Sequence, residues 1–458
     1  MTHVHLIGIG GTGLSAIALV LLESGYTVSG SDRQISPLAQ RVRQAGAQVF
    51  LGHDPENVHG ADVVVRSSAI PDDNPEVQAA LQAGVPVLKR ADYLGQLMRD
   101  QNTIAVAGTH GKTTTTAMIA WVLTVLAQDP SYIIGGVSTN LGANAHAGKG
   151  DAFVVEADEY DRMFLGLNPN LAVVTNIEHD HPDCYPTAAE FYQAFVEFAR
   201  RITPHGTLLV SADDPGASRL GQEAAGWGER VLSYALQSPE KDYWANALEA
   251  NPRGGYSFQA HHSGRSVQVH LQVPGQHNAS NALAALAAVD QLDLSWERAA
   301  QALGEFSGTG RRFEILAQVG GVTLIDDYAH HPTEIRATLA AARSRYPGRR
   351  IWAVWQPHTY SRTRALLGQF RSAFEDADRV LVTEIYAARE AAPRNGFSGE
   401  RAAGVIDRPQ VEFTPALDQA AEYLLEHLES GDVVLVLSAG DADRISATVL
   451  EALRERQA

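Results

Sequence analysis

Three successive α/β units, each on a largely parallel sheet, are the fold the sequence predicts, and three observations carry that expectation. A chain of 458 residues exceeds one ordinary core and fits about three domains of roughly 150 residues each. Short apolar runs alternate with helical segments along most of its length. Two glycine-rich loops, each after an apolar run and each opening a helix, restart that rhythm at residues 8 and 108.

The first unit, 1–100, carries strand-like runs at 4–9, 26–30, 62–65 and 85–88, with a helix over 14–23 and a left-handed cap at Gly25. The second, 101–308, runs through strands at 103–107, 132–136, 152–156, 171–175 and 207–210. Between about 230 and 275, alternating segments flanked by Gly and Ser turns predict hairpins appended to that unit, followed by an alanine-rich helix over 278–289. The third, 309–458, has strands at 322–325, 351–354, 380–382 and 433–437 with helices between them.

Composition excludes several functions. With 36 basic against 53 acidic residues the formal charge is -17, which repels polyanions, so neither nucleic acid nor an anionic membrane surface is an expected partner. Anionic ligands must be held by local donors. One cysteine, Cys184, excludes an internal disulfide framework and suits a reducing compartment. No basic, cleavable leader is expected, and the longest apolar stretch, 117–127, falls short of the roughly 18 residues of a membrane span. The expectation is a cytoplasmic monomer or homodimer.

The first loop, Gly8, Ile9, Gly10, Gly11, Thr12, Gly13, with Asp32 ending the next strand, has the form of a dinucleotide or diphosphate cradle. Glycines admit close backbone approach, and the helix N-terminus favours negative charge. NAD and UDP fit such a loop equally. Ser67, just past the run at 62–65, is placed with it on the ligand side. The second loop, Gly108, Thr109, His110, Gly111, Lys112, Thr113, Thr114, is more specific: its amides wrap phosphates, Lys112 supplies a point charge, and the Thr113 hydroxyl suits Mg²⁺. Val106 stands where a P-loop usually has its leading glycine. Lysine is otherwise confined to positions 89, 149 and 241.

Two strand ends deliver acids beside that loop. One gives Glu156, Asp158, Glu159 and Asp161; the other gives Asn176, Glu178, His179, Asp180, His181 and Asp183. Hard oxygen donors of this kind suit Mg²⁺. In the third unit, 326–334 and 356–364 again follow strands, where α/β sheets build sites. His330 and His331 taken alone read as helix-cap or surface residues, but Arg311 and Arg312 add guanidinium groups suited to carboxylates or phosphates.

In this order GTHGKTT, EADEYD, TNIEHDH, HNASNA, GRRFE, DDYAHHPTEI and QPHTYSRTR resemble the Mur ligases over nearly the whole chain. GIGGTGL and the last two motifs bring the resemblance nearest to members that join L-alanine to UDP-N-acetylmuramate. The resemblance implies an ATP- and Mg²⁺-dependent ligase of peptidoglycan synthesis, with an N-terminal UDP-sugar domain, a central ATPase domain and a C-terminal domain that handles the amino acid. It implies that Gly8, Gly10, Gly11, Thr12, Gly13, Asp32 and Ser67 bind UDP-sugar, and that Lys112 acts on the phosphates. Thr113 and Glu156 fall on one Mg²⁺ and His181 on a second. Asn278 and Asn281 match adenine readers, Arg312 a phosphate-facing arginine and Asp327 a nucleotide contact. Tyr328, His330, His358 and Arg362 match residues that handle the amino acid and the muramate.

Departures from the pattern are specific. Residues 191–200 lack the lysine that is carbamylated in many relatives, Thr359 replaces an arginine, and Ser438 replaces a glycine. Three rival functions differ in testable ways: a sister ligase for recycled tripeptide, a nicotinamide oxidoreductase with an ATP-regulated domain, and a non-catalytic nucleotide switch.

Overall fold

The computed structural model describes residues 2–394, 396–407 and 410–456. Three sheets organise them. The first orders its strands β3-β2-β1-β4-β5, all parallel, from β1 (His3–Ile7), β2 (Thr27–Asp32), β3 (Gln48–Leu51), β4 (Val63–Arg66) and β5 (Val87–Lys89). The chain reverses its winding between β1 and β4, so the glycine loop after β1 opens at the switch point, where α/β sheets bind ligands.

The middle sheet has ten strands among the described residues, ordered β15-β14-β13-β12-β11-β10-β6-β9-β7-β8. They are β6 (Asn102–Ala107), β7 (Ser131–Ile133), β8 (Ala145–His146), β9 (Ala152–Glu156), β10 (Leu171–Val174), β11 (Thr207–Ser211), β12 (Arg230–Leu236), β13 (Tyr243–Ala250), β14 (Tyr256–His262) and β15 (Arg265–His270). The expected hairpins exist as the antiparallel run β13-β14-β15, and they extend this same sheet through the parallel β12–β13 pair. β6 lies centrally between β10 and β9, so its loop receives acids from both neighbours.

The last sheet is β16-β17-β21-β18-β19-β20, from β16 (Glu314–Val319), β17 (Val322–Asp327), β18 (Ile351–Trp355), β19 (Arg379–Val382), β20 (Gln410–Phe413) and β21 (Val433–Leu437). Only β16 is antiparallel. β17, β21 and β18 are adjacent, so the segments that follow them share one edge.

Burial joins the first two units and separates the third. One apolar cluster runs from Ile17, Leu21 and Leu94 into Phe153, Phe164 and Phe195, whereas the third unit packs around its own cores, with Ile325, Trp355 and Leu435 in one and Trp352 and Val434 in the other. Helix Arg90–Leu97 meets the turn Tyr160–Gly166 at Gly95, where any Cβ would strike the Gly166 carbonyl. No helix among the described residues is long and apolar enough to cross a membrane.

Candidate active site

The first glycine loop is braced from inside. Gly8 has φ +89°, the Gly10 N-H donates to Asp32 Oδ2 at 2.9 Å, and Ser36 Oγ donates to the Gly10 carbonyl at 3.1 Å. Asp32 therefore shapes the loop with the oxygen that a free ribose acceptor would offer. Thr12 and Gly13 begin helix Thr12–Glu23, and the Ser67 N-H donates to the Ile7 carbonyl at 3.1 Å beside the loop. The structure thus gathers Gly8, Gly10, Gly11, Thr12, Gly13, Asp32 and Ser67 at one strand edge. Sequence reasoning missed Arg90, whose guanidinium lies against Gly13, in the space a Cβ there would take, and which reaches Asp158 at 3.4 Å. Its position directly after β5 was the available signal.

The phosphate loop follows β6. Gly108 and Gly111 take φ +139° and +80°, and a Cβ on Gly111 would meet Asn281 Oδ1 at 2.6 Å. Helix Lys112–Val125 starts there, its N-terminal amides aimed into the loop. Lys112 Nζ donates to the carbonyls of Gly108 (2.5 Å) and Thr109 (3.1 Å) and lies 2.8 Å from Glu159 Oε2. Burial works against its charge, but Glu159 and Glu156 outweigh that and hold the ammonium above its usual range. The lysine is paired with protein oxygens throughout.

Thr113 Oγ1 donates to Glu156 Oε1 at 3.1 Å, and the Gly135 N-H donates to Glu156 Oε2 at 2.7 Å. A hydroxyl and a part-buried carboxylate at this separation are hard donors that fit Mg²⁺. His181 stands apart from them, with Nε2 3.5 Å from Glu159 Oε1. Arg362 Nη2 donates to His181 Nδ1 at 3.2 Å, so the neutral ring carries its proton on Nε2 and offers no lone pair there until Arg362 turns away. The Thr113–Glu156 pair fits a metal as it stands; His181 fits one after that change.

The third unit closes over this floor. Arg362 grips Asp180 of the middle unit through Nε–Oδ1 at 2.6 Å and Nη2–Oδ2 at 3.3 Å, and it donates to His358 Nδ1 at 2.8 Å. His330 Nδ1 donates to the Tyr328 carbonyl at 2.9 Å, which leaves Nε2 a lone pair, 4.0 Å from Asp180. Burial, reinforced by Arg362, pushes His330 down to about 3 and His358 down to about 4, so both rings are neutral. His331 is the helix cap that its lone-residue reading allowed: fully buried, it accepts the Thr333 N-H and begins helix Pro332–Arg345.

A cavity of about 360 Å³ between the second and third units is lined by Thr113, Thr114, Asn278, Asn281, Arg312 and Asp327. The two asparagines are paired, Asn281 Nδ2 donating to Asn278 Oδ1 at 3.1 Å. Asp327 accepts the N-H groups of Phe313 and Ala329, each at 2.7 Å, and burial pushes it up to about 6. Arg312 lies over the Tyr328 ring at 5.1 Å and 3.7 Å from Glu334. Arg311 has backbone carbonyl partners. Its Nη2 donates to the Ser438 carbonyl at 2.7 Å, while its guanidinium shares the Tyr328 ring with Arg312, each 5.1 Å from the centroid. Ser438 uses its extra oxygen, since Oγ donates to Gln356 and accepts the Gly440 N-H. Thr359 caps helix Tyr360–Ala365.

Known proteins share this layout. The Mur ligase family catalytic domain matches residues 3–102, the Mur ligase middle domain 106–289, and the Mur ligase glutamate ligase domain 311–440. A UDP-N-acetylmuramate–L-alanine ligase of Nitratidesulfovibrio vulgaris is 44% identical over 96% of this chain and 97% of its own, and one of Desulforamulus reducens is 42% identical over 99% and 98%. The crystal structure of UDP-N-acetylmuramate-alanine ligase from Thermotoga maritima superposes with a TM-score of 0.83 at 29% identity, covering 100% of both chains. A murein peptide ligase from Psychrobacter arcticus gives 0.72 at 26% identity, covering 99% of each. With matches of this length on all three units, the chain belongs to the Mur ligase family.

Proposed function

We propose that this protein is an ATP-dependent ligase that joins L-alanine to the carboxylate of UDP-N-acetylmuramate in peptidoglycan precursor synthesis, with cytoplasmic residence. The observation that carries it is the convergence of a phosphate loop and a neutral-histidine, arginine-bearing segment on one cleft, in a chain 44% identical to ligases of that name. The division of labour we propose is UDP-sugar on 1–100, ATP on 101–308 and the amino acid on 309–458.

A carboxylate resists amines because it is anionic and oxide leaves poorly. Transfer of the γ-phosphoryl group of ATP gives an acyl phosphate, on which phosphate can leave. Lys112 and the amides of residues 108–114 hold the terminal phosphates, Asn278, Asn281, Arg312 and Asp327 the rest of the nucleotide. Thr113 and Glu156 would hold one Mg²⁺ and His181 a second, supplying positive charge against the phosphoryl oxygens. The glycine loop, Asp32 and Ser67 seat the UDP-sugar. Arg362 exchanges Asp180 for the amino-acid carboxylate, Tyr328 and His358 frame the amine, and His330 Nε2, whose basicity burial and Arg362 suppress and the released Asp180 carboxylate raises, takes the amine proton.

The test is ADP release with UDP-N-acetylmuramate and each amine in turn. Release that depends on L-alanine is expected; release only with L-alanyl-γ-D-glutamyl tripeptide would give the sister activity instead, and release with neither would reject the reading.

A further inference from the structure

The phosphate loop carries a histidine whose partners lie in two different units. The His110 N-H donates to Asn176 Oδ1 at 2.7 Å, which fixes the loop two residues before Lys112. On one side of its ring, Nε2 lies 2.9 Å from Glu178 Oε2 of the same unit. On the other, Nδ1 lies 3.2 Å from Glu334 Oε1 of the third unit. The His331 ring lies against its face, centroids 4.8 Å apart, and Thr333 Oγ1 donates to Glu178 Oε1 at 2.9 Å across the same boundary. Glu334 in turn accepts the N-H groups of His330 (3.1 Å) and His331 (3.3 Å), so one carboxylate ties the phosphate loop to the backbone of the amino-acid site.

We propose that His110 and Glu334 form an interdomain latch: an imidazolium clamped between Glu178 and Glu334 closes only when the third unit docks, and so positions the phosphate loop in step with the amino-acid site. The proposal rests on the ligase reading above and assigns His110 and Glu334 as positioning residues. Charge decides the geometry. Nε2 is hydrogen-bonded to Glu178, Nδ1 faces Glu334 as an ion pair without hydrogen-bond alignment, and two carboxylates on opposite sides of one ring favour its cation. Burial opposes that cation, yet Glu178 and Glu334 outweigh it and push His110 up to about 9. The neighbours are consistent. Burial and His110 hold His331 below its usual value, and burial with Arg362 holds His330 there, so neither ring competes for the carboxylates; Arg312 adds charge beside Glu334. One ligand atom from each of His110, Glu178 and His331 lies within 4.8 Å of the others, the spacing a metal ion would need, so the metal is the rival that chelation separates from the latch.

Sign follows from the raised value. The closed latch is complete below the ordinary histidine pKa and is lost as pH rises through about 9. Glu334→Gln keeps an amide oxygen for the two N-H groups it caps and removes the charge that His110 reads. Closure of the full-length protein is followed by small-angle scattering on titration with a non-hydrolysable ATP analogue and MgCl₂, with thermal melts to verify folding. About tenfold more analogue for half-closure is expected in Glu334→Gln, and little further change when it is added to His110→Asn, because a latch has no function with either half missing. Wild-type closure should weaken above pH 9, and EDTA treatment before the titration should leave the apoprotein unchanged. Equal effects of Glu334→Gln with and without His110, or a pH-independent wild type, would overturn the latch; EDTA sensitivity would replace it with a metal site. Glu178→Gln gives a second route if His110→Asn does not fold. None of these readouts needs alanine turnover, so failure here is distinct from failure of the ligase assignment.

Discussion

The two interfaces of the middle unit are built from opposite materials. Toward the first unit it shares a continuous apolar core, with Leu21 and Leu94 in one cluster with Phe164 and a glycine-to-glycine approach at Gly95 and Gly166. Toward the third it offers charges: Asp180 to Arg362, Glu178 to Thr333, His110 to Glu334. Apolar burial, worth about 25 cal/mol per Å², has no ligand that can stand in for it. A buried ion pair does, because a substrate of matching charge satisfies the same group. The first interface therefore fixes the two glycine loops relative to each other, and the second is built from groups that can trade protein partners for ligand ones.

The largest expected effect comes from the charge at the centre of the middle unit's phosphate loop. Lys112→Ala removes the loop's ammonium and leaves Glu159 buried without its lysine partner, and alanine-dependent ADP release should fall by more than about 10³-fold. Near-normal turnover would mean the loop is not where phosphate is held. Next is Arg362→Lys, which keeps the charge but cannot span both Asp180 oxygens. The alanine KM should rise about tenfold with a smaller change in the nucleotide KM. An equal rise in both would place Arg362 on the nucleotide instead.

What the sequence disclosed follows the same division. Strand-end loops were legible because glycines with positive φ and clustered polar residues are local signals: residues 8–13, 108–114, 326–334 and 356–364 all lie at strand edges as expected. Three half-exposed strands were not: β3, β16 and β20 show only weak apolar periodicity. Least legible were the partners of charged groups, which depend on which loops the sheets bring together. Asp32 spent on Gly10, Arg311 on Ser438, Asp180 on Arg362 and Glu334 on His110 are separated by 22 to 224 residues, and no spacing rule reaches that far.

The apolar interface can be sharpened by a single methyl group. In Gly95→Ala the new Cβ meets the Gly166 carbonyl, a rigid backbone atom, so the helix must shift, at a cost of about 1–3 kcal/mol. Calorimetry should show a lower Tm, with closure of the third unit, measured by scattering, unaffected; loss of both would mean that the two interfaces are coupled.

The smallest expected effect separates the units by pH. In the first unit the fully buried Glu76 accepts from Ser31 Oγ at 2.5 Å and Asn57 Nδ2 at 2.6 Å and lies 3.7 Å from His5 Nε2. Burial would raise its pKa, but His5, Ser31 and Asn57 outweigh that and lower it to about 2. A depressed carboxylate stabilises the fold above its unfolded pKa of about 4.5 and loses that contribution as pH falls through about 2. Its window is acid, whereas the His110 latch fails in base. Glu76→Gln should therefore flatten the acid limb of the Tm profile while leaving the alkaline loss of closure in place, since the cluster is buried in one unit and the latch spans two. An alkaline change in Glu76→Gln would show that ionisation in the first unit reaches the third, against the separation drawn from their packing.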